Sequence, residues 1–227
     1  MFLPLHDRNP IRHVRFPFLT YGLIGGNVLV FLFQLASPGY GFEWFTVEYG
    51  MIPVVVRDLV DQPLPWLPDW AGLFTYSFLH GDWMHLIGNM LFLWIFGDNI
   101  EDAMGHVKFL VFYLLCALLA GLAHLATHYD SYSQLIGASG AVAGVVGAYV
   151  LLYPHARVFV LFRLVIPIPL PIPALWMLGV WIAVQVFYAV VGSDEPIAWW
   201  AHVGGIVAGA ALAVPFKRRE VPLFGGH

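Results

Sequence analysis

Six segments of the chain are apolar enough to be membrane spans, or nearly so, and this feature constrains the fold most. A membrane-spanning helix needs roughly 17–25 mostly apolar residues. Hydrophobic residues make up 60% of the 227 residues and charged residues only 11%, whereas an ordinary soluble domain has about 25% charged residues. A soluble protein of this size cannot bury so much apolar surface, so the composition predicts an integral membrane protein. The six predicted spans are 16–35, 83–96, 109–126, 135–153, 174–191 and 197–216.

These spans predict an all-α membrane protein, a bundle of six transmembrane helices. The alternation of apolar and polar residues that builds β-barrels is absent, which argues against a barrel. We expect residues 1–15 to form an N-terminal segment, 16–216 the six-helix domain and 217–227 a C-terminal tail. Prolines at alternate positions between 166 and 173 favour an extended link between spans four and five. No cleavable signal peptide is recognisable, so the first span is expected to remain as an anchor.

The distribution of charge predicts the orientation. With six spans and a cytoplasmic N-terminus, nine of the ten Lys and Arg residues fall on the inner side and only Arg57 falls outside. Cytoplasmic loops carry an excess of Lys and Arg in membrane proteins. The outer loops hold nine of the fourteen acidic residues. Both termini are therefore expected to be cytoplasmic. The net charge of −4 without a basic block gives no indication of nucleic-acid binding.

Four polar side chains on three spans are predicted to lie at the same depth, in the outer third of the bilayer. Ser139 lies five residues past the loop that precedes span four, which is roughly 7 Å along the predicted helix from its outer end. His202 follows Glu195 by seven residues, which places it roughly 10 Å deeper in the membrane than Glu195. His85 and Asn89 are four residues apart near the outer start of span two, so they share one face of that helix. Polar side chains within spans are costly and are functional candidates by default.

Small residues indicate that spans four and six pack closely. Gly140 and Gly144 form a GxxxG pair in span four, and Gly205 and Gly209 form another in span six. Such pairs let two helix backbones approach, as a hydrogen bond between Ser139 and a histidine of span six requires. These glycines are predicted to be structural, as is Gly137.

The four polar side chains suit acyl-transfer chemistry. A serine hydroxyl becomes a good nucleophile when a base takes its proton, and His202 can be that base for Ser139. The Ser139 backbone N–H, His85 and Asn89 are available donors for the oxyanion of a tetrahedral intermediate. No carboxylate is predicted at this depth, so a Ser–His dyad is a better interpretation than a triad.

At these residues the sequence resembles the rhomboid family of intramembrane serine proteases. Residues 137–140 (GASG) match its GxSG motif, and 201–205 (AHVGG) match its last-span AHxxG motif. Residues 80–89 match the span-two pattern, and 97–105 are similar to the turn that follows it. Four motifs in order, covering spans one to six, make the resemblance specific.

The resemblance implies Ser139 as nucleophile, His202 as general base, His85 and Asn89 as oxyanion contributors, and His80 as a supporting histidine. It implies single-pass transmembrane substrates cleaved near the outer surface, contact with membrane lipid, no metal or other cofactor, a membrane-embedded first loop over 37–82, and span five as a lateral gate. Some members carry a tyrosine four residues after the serine that stacks on the histidine. Here Ala143 occupies that position, so other groups must orient His202.

Other functions remain open. A catalytically silent relative that binds transmembrane helices would share the fold. A haem or metal protein could use His80, His85 and His202 as ligands, but the sequence contains no zinc signature. A transporter would favour two related halves, which are not recognisable. The lack of further domains suggests a minimal prokaryotic member in the plasma membrane, and the sequence leaves the oligomeric state open.

Overall fold

The computed structural model describes residues 2–37, 41–59, 67–162, 168–193 and 197–225. Within these ranges the chain forms a helical bundle with a small sheet at one end. Parts of three predictions lie outside the described residues: residues 60–66 of the predicted first outer loop, residues 163–167 at the start of the proline-rich link, and Glu195 before span six.

The described helices are mostly apolar. They are α1 (Phe18–Ala36), α2 (Gly41–Tyr49), α3 (Pro53–Val56), α4 (Gly72–Thr75), α5 (Trp83–Met104), α6 (His106–Thr127), α7 (Ser139–Leu152), α8 (Ala174–Val191) and α9 (Trp199–Phe216). Four of them, α1, α6, α8 and α9, are long and apolar enough to cross a membrane. Helix α5 is as long as α6 but carries charged residues near its end, and α7 is apolar but has only 14 residues. Short 3-10 turns cover Asp69–Ala71, Tyr76–Phe78 and Leu223–Gly225.

The second predicted span ends too early. Helix α5 continues through residues 97–104, most of the segment interpreted from sequence as a turn, and stops at Met104. Gly105 is the one non-helical residue between α5 and α6, and its φ of 85° is a conformation that L side chains rarely adopt. The start of α5 is capped by Asp82, whose side chain accepts a hydrogen bond from the backbone N–H of His85.

The fourth predicted span starts too early. Residues 135–138 are not helical, and α7 begins at Ser139. Long-range backbone bonds hold this entry segment: Leu135 pairs with Met51, and the N–H of Gly137 donates to the carbonyl of Tyr76 at 2.9 Å. Fourteen helical residues measure only about 21 Å, less than the roughly 30 Å of a hydrocarbon core. Ser139 therefore stands at a helix N-terminus rather than inside a helix.

The prediction of an all-α protein is wrong in one respect, because a three-stranded antiparallel sheet is present. Strand β2 (Arg157–Phe162) pairs with β1 (Phe2–Asp7) and with β3 (Ile168–Pro173). The alternating prolines do keep the chain extended, as predicted, but in an edge strand rather than a free link. Alternate residues of an edge strand point their N–H groups away from the partner, so proline is tolerated there.

Helix α7 lies at the centre of the bundle, and nearly all of its side chains are buried. It packs against α9 through the two glycine pairs. A Cβ added to Gly209 would lie 2.5 Å from the Cα of Gly144, and one added to Gly205 would lie 3.0 Å from the carbonyl carbon of Gly140. Only glycine permits this approach of two backbones, which brings the start of α7 beside the start of α9.

Both described chain ends lie at the end of the bundle opposite Ser139. Strand β1 pairs with β2, which follows α7, and the Arg218 N–H donates to the carbonyl of Ala103 at the end of α5. Nearby, the buried Glu101 carboxylate accepts hydrogen bonds from the Thr20 backbone N–H and hydroxyl. A carboxylate at a helix N-terminus is favourable, so Glu101 fixes the start of α1 to α5.

Candidate active site

The first residue of α7 and the first turn of α9 meet at a serine–histidine hydrogen bond. Ser139 Oγ lies 2.8 Å from His202 Nε2. The two helices bring these side chains together because glycine pairs allow close backbone contact beside the site, at Gly140 and Gly205, and again one turn further along, at Gly144 and Gly209. The geometry fits a nucleophile and its general base, for which 2.6–3.2 Å is the expected range.

The other nitrogen of His202 also has a partner. Gln185 Oε1, on α8, lies 2.7 Å from His202 Nδ1. Gln185 is the single strongly polar side chain of span five, but the sequence alone did not predict this contact. A lone polar residue in an apolar span is a usable signal, but the rotation of α8 that aims it at His202 cannot be read from the sequence.

Two tryptophan rings flank His202. The Trp181 ring is roughly parallel to the imidazole with centroids 6.3 Å apart, and the Trp199 ring stands edge-on at 6.1 Å. Ala143 is fully buried. The imidazole is thus confined by two tryptophans and two hydrogen bonds.

His85 offers a donor to the region around Ser139. The backbone N–H of Gly81 donates to His85 Nδ1 at 3.3 Å, so the proton of the neutral ring belongs on Nε2. That nitrogen faces Gly137, where an added Cβ would lie 2.5 Å from it. Gly137 also has a φ of +117°. A side chain at this position would therefore block the approach of His85 to the entry segment of α7.

Asn89 has an unused donor. Its side chain is 8% exposed, and its Nδ2 has no hydrogen-bond partner among the described residues. Leaving such a group unpaired costs roughly 1–3 kcal/mol, so an acceptor in the adjoining cavity would be favoured. The backbone N–H of Ser139 lies in the first turn of α7, where amide donors have no partner within the helix.

These groups line one cavity of about 1070 Å³. Its wall includes His85 and Asn89 from α5, Ser139 from α7, Trp181 from α8 and His202 from α9. The polar residues Asp82, Ser133, Gln134 and Ser193 lie around it as well. The cavity has room for an extended peptide segment and for water beside Ser139.

His80 lies behind this cavity rather than in its wall. It is fully buried, and its ring is edge-on to that of His85 with centroids 5.1 Å apart. Its backbone N–H donates to Gln34 Oε1 on α1 at 3.2 Å. From this position the His80 side chain can support His85, but it does not reach Ser139. In the part of the chain that the structure describes, no three His, Cys, Asp or Glu side chains are grouped to hold a metal ion.

The chain is similar in sequence to several rhomboid proteins from different organisms. It is 29% identical over 203 residues to Rhomboid protein 1, mitochondrial, from Saccharomyces cerevisiae, covering 84% of this chain and 51% of the yeast protein. It is 28% identical over 224 residues to Rhomboid protease GlpG from Klebsiella pneumoniae, covering 89% of this chain and 68% of that protein. Rhomboid protease AarA from Providencia stuartii is 28% identical over 218 residues, covering 87% and 72%.

The matched region contains the whole candidate site. The family model described as the Rhomboid domain matches residues 68–219, which is more than half of the chain. It includes the entry segment of α7, the Ser139–His202 contact and both glycine pairs. The motifs quoted from the sequence therefore lie within the matched domain. The chain belongs to the rhomboid family and is an integral membrane protein.

Proposed function

We propose that this protein is an intramembrane serine endopeptidase in which Ser139 and His202 form a catalytic dyad. The observation that carries the proposal is the 2.8 Å contact between Ser139 Oγ and His202 Nε2 at the wall of a large cavity. Membership of a family with members named proteases supports the reaction class. No cofactor enters the proposed reaction.

In the first half of the reaction, Ser139 Oγ attacks the carbonyl carbon of a substrate peptide bond and its proton passes to His202 Nε2. The resulting oxyanion accepts hydrogen bonds from the Ser139 N–H, His85 Nε2–H and Asn89 Nδ2–H. His202 then gives its proton to the amine nitrogen, the C–N bond breaks, and an acyl-enzyme ester remains on Ser139.

In the second half, water attacks the ester while His202 takes its proton. The bond to Ser139 Oγ breaks, His202 returns the proton to the serine oxygen, and the carboxylic acid leaves. Each half transfers one proton to the base and one from it, so the enzyme is regenerated. His80 acts in this scheme by holding His85 in place.

The proposed substrates are single-pass transmembrane proteins. A transmembrane helix shields its peptide bonds through internal hydrogen bonds, so the cleaved segment should contain small or helix-weakening residues that let it unfold locally. Helices α5 and α7 together with the four long apolar helices make the six spans of the proposal. The proposed topology places both termini in the cytoplasm of a prokaryotic cell, with cleavage near the outer membrane surface.

The test is cleavage of a panel of single-span substrates by the purified full chain in detergent. Ser139→Ala and His202→Ala are run beside the wild type, and Gly25→Ala serves as the control because a Cβ added to Gly25 meets nothing within 4 Å. The proposal expects cleavage by the wild type and the control and none by the two site variants. Cleavage that survives Ser139→Ala would overturn it.

A serine-reactive fluorophosphonate distinguishes a wrong substrate from a wrong function. Labelling of wild-type Ser139 without cleavage keeps the dyad and rejects the substrate panel. A well-folded protein that neither cleaves nor labels contradicts the proposal and favours a silent rhomboid-like protein that binds transmembrane helices.

A further inference from the structure

Gln185 is an unusual residue in its helix. Helix α8 is apolar and largely exposed at its surface, yet Gln185 is only 4% exposed. The other buried residues of α8, Ala174, Met177 and Leu178, all belong to its first turns. In the second half of α8, the buried side chain is a polar one, and it is directed at His202. Burial of an amide within a membrane bundle is costly unless it is paired.

Both ends of the Gln185 amide have partners, and these determine which atom faces His202. Gln185 Nε2 donates to the backbone carbonyl of Trp181 at 3.2 Å. A carbonyl can only accept, so the amide nitrogen must be the end that faces it. The amide oxygen then faces His202 Nδ1 at 2.7 Å, and this oxygen can only accept. His202 must therefore carry its proton on Nδ1.

A proton on Nδ1 leaves the lone pair of the neutral ring on Nε2, the nitrogen that lies beside Ser139 Oγ. The opposite tautomer would point an N–H at the serine and could not take its proton. In serine proteases with a triad, a carboxylate fixes the tautomer in this way, and the tautomer is lost when its acceptor becomes an amide with the wrong orientation. Here the bond to Trp181 holds the amide in the required orientation.

We propose that Gln185 is a positioning residue that holds His202 in the Nδ1–H tautomer, in place of the ring stacking that Ala143 cannot supply. This inference rests on the proposed function for its effect on turnover, but its effect on the tautomer stands independently. Gln185 touches no reacting atom and acts through His202. The hydrogen bond also joins the second half of α8 to His202, the general base. His202 is therefore held in the Nδ1–H tautomer only while α8 is packed against α9.

The test compares two substitutions of Gln185 in the full chain. Gln185→Leu removes the acceptor at similar volume, whereas Gln185→Glu keeps an oxygen facing Nδ1. Loss of the hydrogen-bond partner of a metal-ligating histidine typically costs 10–100-fold in metal affinity or activity, and we take the same factor for His202. We expect kcat of Gln185→Leu to fall by about that factor, with KM changed less than about twofold. Gln185→Glu should recover most of kcat. Val186→Leu, on the exposed face of α8, is the matched control.

The second readout is the tautomer itself, which needs no turnover. In protein labelled with ¹⁵N-histidine, the His202 signals are identified by their absence in His202→Asn. We expect the Nδ1–H pattern in the wild type and in Val186→Leu, and loss of that pattern in Gln185→Leu.

Two results would overturn the inference: wild-type kcat and an unchanged Nδ1–H signal in Gln185→Leu, or equal losses in Gln185→Leu and Gln185→Glu that follow a lowered Tm. A wild type that neither cleaves nor labels defeats the proposed function instead. In that case the tautomer signals still support or reject the Gln185 contact.

Discussion

Gly209→Ala tests whether the α7–α9 contact sets the active-site geometry. The added Cβ would lie 2.5 Å from the Cα and carbonyl carbon of Gly144 and closer still to its carbonyl oxygen, whereas ordinary contact begins at about 3.4 Å. These are backbone atoms that cannot rotate away, so relieving the contact with the two carbons alone requires the helices to separate by about 0.9 Å at this level, and the oxygen requires more. If the site moves by the same amount, the Ser139–His202 distance increases from 2.8 Å to at least about 3.7 Å, beyond hydrogen-bond range.

The expected results for Gly209→Ala are a loss of turnover and a loss of stability. A misplacement of about 1 Å costs on the order of 10²-fold in rate, and overpacking costs about 1–3 kcal/mol in the free energy of unfolding. Cleavage of a model substrate and Tm in detergent measure the two effects. Gly179→Ala on α8 is the matched control, since a Cβ added to Gly179 meets nothing within 4 Å. Wild-type cleavage and Tm in Gly209→Ala would refute the reasoning.

Three further predictions concern other parts of the molecule. Asn89→Ala removes a proposed oxyanion donor, so kcat should fall on the order of 10²-fold with Tm nearly unchanged; an unchanged kcat would exclude this role. Gly137→Ala should abolish cleavage because its Cβ would meet His85 Nε2 at 2.5 Å, whereas Gly81→Ala, with its nearest contact at 3.7 Å, should stay active; equal activities would contradict this. Burial raises the pKa of Asp7 from 3.8 to about 6, so the folded protein binds a proton there that the unfolded chain releases. The contribution of Asp7 to the free energy of unfolding therefore falls as the pH rises from about 4 to 6. The decrease in Tm that Asp7 causes over this pH range should be absent in Asp7→Asn. A pH dependence of Tm in Asp7→Asn equal to that of the wild type would contradict this prediction.

The sequence indicated that Ser139 and His202 lie near each other, as their 2.8 Å contact shows, even though both helix starts were misplaced. Span four was expected from residue 135 and begins at Ser139, and span six was expected from 197 and begins at Trp199. Both helices begin later in the chain than expected, and Ser139 and His202 still lie in the first turns of two helices that start side by side. Hydropathy could not reveal the non-helical entry segment, because Leu135, Ile136 and Ala138 are as apolar as a span. Irregular backbone at this depth is tolerated where protein covers it, and that cover comes from residues far along the chain.

The sheet and the Gln185 contact could not be derived because both depend on tertiary arrangement. Strand β1 is six residues long and pairs with β2, about 150 residues later. The prolines of β3 predicted an extended segment but did not indicate which strand it pairs with. Likewise, Gln185 was recognisable as a polar residue in an apolar span, while its partner depends on how α8 is rotated against α9.

The most direct test of the central claim is to map the adduct of a fluorophosphonate on the purified protein by mass spectrometry. The reagent reports an activated serine without requiring the natural substrate. We predict one adduct, on Ser139, that is absent in Ser139→Ala and forms much more slowly in His202→Ala. An adduct on a different serine, no adduct in folded protein, or an undiminished rate in His202→Ala would contradict the proposed pairing of nucleophile and base.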